Sequence, residues 1–160
     1  MSVYKESNIE FDFTQAKTAN RHNNSVWKGV DFCIEEPSGE WIWLEVKSWD
    51  LKHIDPHRRG GAVRSFRAKM KSNDYANEMC GKFIGTTAFL AWKGNFVLAP
   101  TTFVLLFEPP RPLDAALLGS RITRMQSLIP RKIWAQPLGV VVLTTGGWNE
   151  RFPDYPAKAR

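Results

Sequence analysis

The sequence predicts an α/β fold in which a mixed β-sheet is flanked by helices. Three observations lead there. Short apolar or alternating segments recur from residue 8 to residue 143, the mark of strands. Segments with helical apolar spacing separate them at 62–83 and 113–129. The resulting order is strand, hairpin, helix, two strands, helix, strand, which asks for helices packed on a mixed sheet.

Length and composition set the frame. A chain of 160 residues suits one domain with a real core. Its 43% hydrophobic and 24% charged residues argue against a disordered chain. Apolar runs such as Leu138–Leu143 are far too short to span a bilayer, and the opening MSVYKESN has no signal-peptide pattern. No membrane partner is expected, and a cytoplasmic setting is. Cys33 and Cys80 are too few for a disulfide scaffold and read as buried free thiols. The net charge of +6 favours contact with a polyanion, nucleic acid first, although a merely solvated basic surface gives the same sum.

In chain order, Asn8–Phe13 alternates, with Ile9, Phe11 and Phe13 on one side, and reads as a half-buried strand. A short helix from about Thr14 is compatible with Ala16 and Ala19, and Asn20–Ser25 reads as a polar loop. Val26–Glu36 and Glu40–Trp49 are the next two strands, joined by Pro37-Ser38-Gly39. Proline suits the start of a type I turn and glycine the left-handed position after it. This turn pairs Glu36 with Glu40 and so sets Asp31 opposite Glu45, on the face that Lys47 shares; one residue of slip would separate them. The same register puts Val30, Phe32 and Ile34 with Ile42, Leu44 and Val46 on a core face.

Asp50–Gly61 reads as a loop that carries Lys52, His53, His57, Arg58 and Arg59, and Ala62 to about Phe83 as a helix with a basic start. Gly85–Trp92 and Phe96–Phe107 read as strands turned by Lys93-Gly94-Asn95, with Pro100 interrupting the second. Pro109–Pro112 is a rigid connector into an amphipathic helix over Leu113–Ile129, which stops at Pro130. Leu138–Leu143 reads as a central strand covered on both faces. From Thr144 the chain reads as loop, then as a tail from about residue 149.

The chemistry concentrates in the hairpin. Two neighbouring carboxylates suit Mg²⁺ or Mn²⁺, hard ions that prefer oxygen ligands. Asp31 and Glu45 supply them, and the Val46 carbonyl between Glu45 and Lys47 offers a third oxygen. Alternation sends Glu45 and Lys47 to one side of the strand. Lys47 is then placed to position an attacking water and offset negative charge on a phosphorane. The opposing reading is a solvated strand face with a cross-strand ion pair. Asp50 reads as a turn cap. His53 and His57 are loop residues, since Pro56 breaks any helical pairing and further zinc ligands are lacking nearby. Arg58, Arg59, Arg64 and Arg67 are the candidate nucleic-acid contacts, just downstream of the lysine; a solvated basic loop is the alternative. Trp41, Trp43 and Trp49 share the Asp31 face, there either to pack against a helix or to stack on bases.

Gly29-Val30-Asp31-Phe32, followed after thirteen residues by Glu45-Val46-Lys47, resembles the D…(D/E)-x-K signature of the PD-(D/E)xK, or restriction-endonuclease-like, nuclease superfamily. The resemblance implies a restriction-endonuclease-like mixed sheet flanked by helices and a Mg²⁺-dependent endonuclease acting on phosphodiesters, with DNA as partner. It gives Asp31 and Glu45 the part of metal ligands and Lys47 that of catalytic lysine. The motif departs from the pattern at Val30, where proline is frequent, and the downstream helix lacks the Gln-x-x-x-Tyr of the RecB-like branch. Many members carry another acid on an opening helix; here Glu10, with Asp12 behind it, is the nearest candidate. So small a chain has few parts left for sequence readout, which points to a homodimer or a separate targeting subunit. The alternative is a catalytically inactive domain of the same fold that binds protein or nucleic acid.

Overall fold

The computed structural model describes residues 2–22, 28–48, 54–94, 99–108, 124, 127 and 138–160. Strands β1 (Val3–Glu6), β2 (Ile9–Asp12), β3 (Thr18–Arg21), β4 (Phe32–Glu35) and β5 (Trp41–Ser48) come first. Helices α1 (Pro56–Lys71) and α2 (Asn73–Trp92) follow, then β6 (Thr101–Glu108) and β7 (Leu138–Leu143). Helix α3 (Thr145–Arg151) and strand β8 (Ala157–Ala159) close the chain. The fold is mixed α/β. One sheet runs β3-β4-β5-β6-β7, antiparallel at its first two junctions and parallel at its last two; the other runs β1-β2-β8 and is antiparallel. No helix among the described residues is long and apolar enough to cross a membrane.

The hairpin turns as expected. Phe32 pairs with Leu44 and Glu35 with Trp41, and the Glu36 amide donates to the Glu40 carbonyl at 2.9 Å. Gly39 sits at φ +86°, the left-handed position that the turn requires. Extending this register by one residue puts Asp31 opposite Glu45. The two faces of the sheet separate cleanly. Phe32, Ile34, Ile42, Leu44 and Val46 pack with Ile9, Phe11 and Phe13 of the small sheet and with Trp148 of α3. Trp43, Phe103, Leu105 and Phe107 pack under Phe66 of α1 and Tyr75, Met79 and Phe83 of α2.

Several expectations are corrected. Val30 joins the helix-side cluster with Trp43, not the face of Phe32. Residues 28–31 are not regular strand: Lys28 has φ +46°, so the alternation breaks there. No helix follows Thr14; the Asp12 carboxylate accepts from the Thr14 amide in a tight turn, and β3 begins at Thr18 and takes in Asn20 and Arg21. The loop expected through Gly61 is helix from Pro56, because Asp55 accepts from the His57 amide and proline fills the first helical position. Arg58 and Arg59 therefore stand on α1. The single helix expected over 62–83 is two helices broken at Ser72, and the strand expected over Gly85–Trp92 is the second half of α2. Pro100 interrupts the next expected strand as foreseen, β6 beginning at Thr101, while residues 96–98 of that span lie outside the described residues. Strand β7 ends the described sheet instead of sitting centrally, although Val140 faces one core and Val141 and Leu143 the other. The expected tail is α3 and β8, with Trp148 fully buried. Of the helix expected over 113–129, only Arg124 and Ser127 are described, both helical. Trp27, Trp49, Asp50, Lys52, His53 and Trp134 lie outside the described residues.

Candidate active site

Asp31, Glu45 and Lys47 come together on the helix-covered face of the large sheet. Asp31 stands one residue ahead of β4. Its carbonyl accepts from the His22 amide, and its carboxylate Oδ2 accepts from the Val46 amide at 2.8 Å. The side chain thus satisfies a backbone donor of β5 at the point where the β4 ladder stops. Glu45 is completely buried. Its Oε1 lies 2.7 Å from Lys47 Nζ and 3.2 Å from Lys82 Nζ, the latter reaching in from α2. Oε2 has neither a hydrogen bond nor an ion-pair partner among the described residues. The Lys47 contact, at charge-assisted hydrogen-bond distance, and the Lys82 charge hold this carboxylate at its other oxygen. A buried carboxylate costs several kcal/mol to desolvate, and the two ammonium groups beside Glu45 offset that cost.

A second tier surrounds this core. Glu78 of α2 is 3.6 Å from Lys47 Nζ and 2.7 Å from Lys69 Nζ of α1. The buried Tyr75 hydroxyl has no hydrogen-bond partner among the described residues, and burial, then Glu45 and Glu78, raise its pKa. Thr86 fastens α2 to the hairpin: its Oγ1 donates to the Lys82 carbonyl and accepts from the Val30 amide, each at 2.9 Å. Gly29 permits that approach, since a Cβ there would lie 3.0 Å from Thr86 Oγ1.

The electrostatics assign protonation states. Burial first, and then the Glu45 charge, raise the Asp31 pKa to about 6, against the Val46 hydrogen bond and Lys82. Burial alone would depress Lys47, but Glu45, Glu78 and Asp31 outweigh it and its pKa ends above the ordinary lysine value. Lys47 is therefore an ammonium at neutral pH. Burial would raise Glu78, yet the Lys69 hydrogen bond and the charges of Lys47, Lys69 and Lys82 bring it below the ordinary value.

Other expected site residues fall elsewhere. Arg58, Arg59, Arg64 and Arg67 all stand on α1, where Arg59 Nε donates to the Ile54 carbonyl and the other three are exposed. Glu10 pairs with Arg160 on the small sheet, and Asp12 is bound to Thr14. Neither joins the site, because Ile9 and Phe11 between them face the core on the far side of the large sheet. The acid added to the site is Glu78 instead. Trp43 is core and Trp41 packs against it, so on this face the described tryptophans pack rather than stand free. Cys33 is a buried thiol and Cys80 a half-buried one. Glu78 and Lys82 carried no signal in the sequence except their spacing of one helical turn, which only a correct reading of α2 would have used.

The residues fit a divalent ion in one respect. Two acids face each other, one holds an orphaned buried oxygen, and the Val46 carbonyl is adjacent. They do not form a ready cage: no group of three or more His, Cys, Asp or Glu gathers among the described residues. No protein-family model, curated protein or solved structure matches this chain.

Proposed function

We propose that the protein is a Mg²⁺- or Mn²⁺-dependent nuclease that hydrolyses phosphodiester bonds, with DNA as the favoured substrate. The observation that supports this best is Glu45: a fully buried carboxylate beside Asp31, with Lys47 and Lys82 on one oxygen and no partner on the other among the described residues. Asp31, Glu45 and the Val46 carbonyl would hold the ion. Once bound, it supplies a Lewis acid for the scissile phosphate and a lowered pKa for water. Lys47 holds the attacking water and offsets charge on the phosphorane as a fixed ammonium. Exposed Arg58, Arg64 and Arg67, with Arg59 behind them, give α1 a basic surface for the phosphate backbone. The Asp55 carboxylate already caps the N-terminus of that helix, so the arginines rather than the helix end would meet the phosphates.

Supercoiled plasmid incubated with MgCl₂ tests the reading. Asp31→Ala and Glu45→Ala are expected to lower cutting by about 100-fold or more, the scale on which lost transition-state stabilisation registers. Lys47→Ala is expected to keep plasmid binding and lose turnover. Equal cutting by Glu45→Ala and the parent overturns the assignment. Lys82, 3.2 Å from Glu45, favours a second reading, a binding module whose acids are neutralised internally. On that reading tryptophan fluorescence shows no saturable response to Mn²⁺.

A further inference from the structure

Two ammonium groups crowd one oxygen of Glu45. Lys47 points there because strand alternation puts it on the same side as Glu45. Lys82 arrives from a different element, and Thr86 ties its carbonyl to the Val30 amide, one residue before Asp31. Four residues before Lys82 stands Glu78, the spacing at which a glutamate and a lysine meet on a helix. The Lys82 side chain is 20% exposed and the Glu78 side chain 35%. A lysine stem is long, flexible and ends in a compact charge, so its head can change partners while its backbone stays fixed.

We propose that Lys82 is a resident counter-cation, which neutralises the Asp31–Glu45 pair while no divalent ion is bound and withdraws to Glu78 when one binds. The inference rests on the reading of Asp31 and Glu45 as ion ligands. Two adjacent carboxylates, one fully buried and one partly, repel each other unless a cation stands beside them. Lys47 alone supplies one positive charge for two acids, and Lys82 supplies the second. A divalent ion brings both charges itself and repels a nearby ammonium. Glu78, one helical turn from Lys82 and partly exposed, is an acid that can receive it beside Lys69 and the more distant Lys47. Lys82 thus competes with the ion and at the same time keeps the empty site folded.

Calorimetric titration of the full chain with MnCl₂, without nucleic acid, and thermal melting in EDTA test this. Lys82→Gln is expected to bind Mn²⁺ at least about tenfold more tightly, since one repelling charge is gone. It is also expected to melt about 3 °C or more lower in EDTA. Lys82→Arg keeps the charge and is expected to bind no more tightly than the parent. Glu78→Gln removes the receiving position; it should weaken Mn²⁺ binding about threefold or more beside Lys82, and less beside Lys82→Gln, a coupling that a double-mutant cycle reads directly. If the parent binds Mn²⁺ and Lys82→Gln binds it equally or less well, the counter-cation role falls while the ion site stands. If neither chain binds Mn²⁺, both fall. Should Lys82→Gln fail to fold, the half-exposed Glu78→Gln variant decides, and an unchanged affinity overturns the proposal.

Discussion

Asp31 illustrates how one side chain at this site serves two ends that conflict. Its carboxylate completes the hydrogen bonding of β5 through the Val46 amide, yet it lies against the buried charge of Glu45. Its pKa, about 6 in the folded protein, exceeds the 3.8 of an unfolded aspartate. The folded state therefore binds its proton more readily between those values. The stability tied to this group is greatest below about pH 4, falls as pH rises through 6, and stays lost above, to a total of about 3 kcal/mol. Asn in this place keeps an acceptor for Val46 without the charge. Asp31→Asn is expected to melt roughly 5 °C above the parent at pH 8, in EDTA, with the gap closing towards pH 4. A gap that does not change with pH would remove the burial argument.

At the scale of elements, helices α1 and α2 decide where the site's second tier stands, and both defeat simple sequence reading for definable reasons. Gly60-Gly61 resembles a loop because each glycine costs a helix about 1 kcal/mol relative to alanine. The Asp55-Pro56 cap nevertheless starts the helix before them. In α2, Thr86 and Thr87 resemble a strand because they are β-branched. Their hydroxyls instead donate to the carbonyls of Lys82 and Phe83, one turn back, and the helix continues. A Cβ on Gly61 would meet nothing within 4 Å, and its φ lies outside the left-handed range. Gly61→Ala is accordingly expected to raise the melting temperature by about 2–4 °C. A fall would mean that this position is held bare by a contact absent from the isolated chain.

At the scale of the whole molecule, the ends of the chain close the second core. Strand β8 pairs with β2, and Trp148 of α3 packs edge-on against Phe11 and donates from its indole nitrogen to the Tyr155 carbonyl. This layer supports the face of β5 opposite to Glu45, so the hairpin is clamped from both sides. Trp148→Ala is expected to cost about 3–5 kcal/mol in chemical denaturation, the range for a large buried aromatic. A loss under 1 kcal/mol would show that α3 is peripheral.

The hairpin was legible in the sequence because its information is local. The Pro37-Ser38-Gly39 turn sets the register, the period of two sets the faces, and together they bring Asp31 opposite Glu45 with Lys47 beside it. The half-buried strand of Ile9 and Phe11 was legible for the same reason. What covers each face was not, because partners distant in sequence choose it. Lys82 and Glu78 reach the hairpin only after α2 is laid across the sheet and pinned through Thr86 and Gly29. The end of the chain becomes core only when β8 finds β2. Glu45's charge is part of the sequence. That it is buried and held by two lysines on one oxygen was decided by tertiary structure, because burial and opposing charge come from packing rather than spacing.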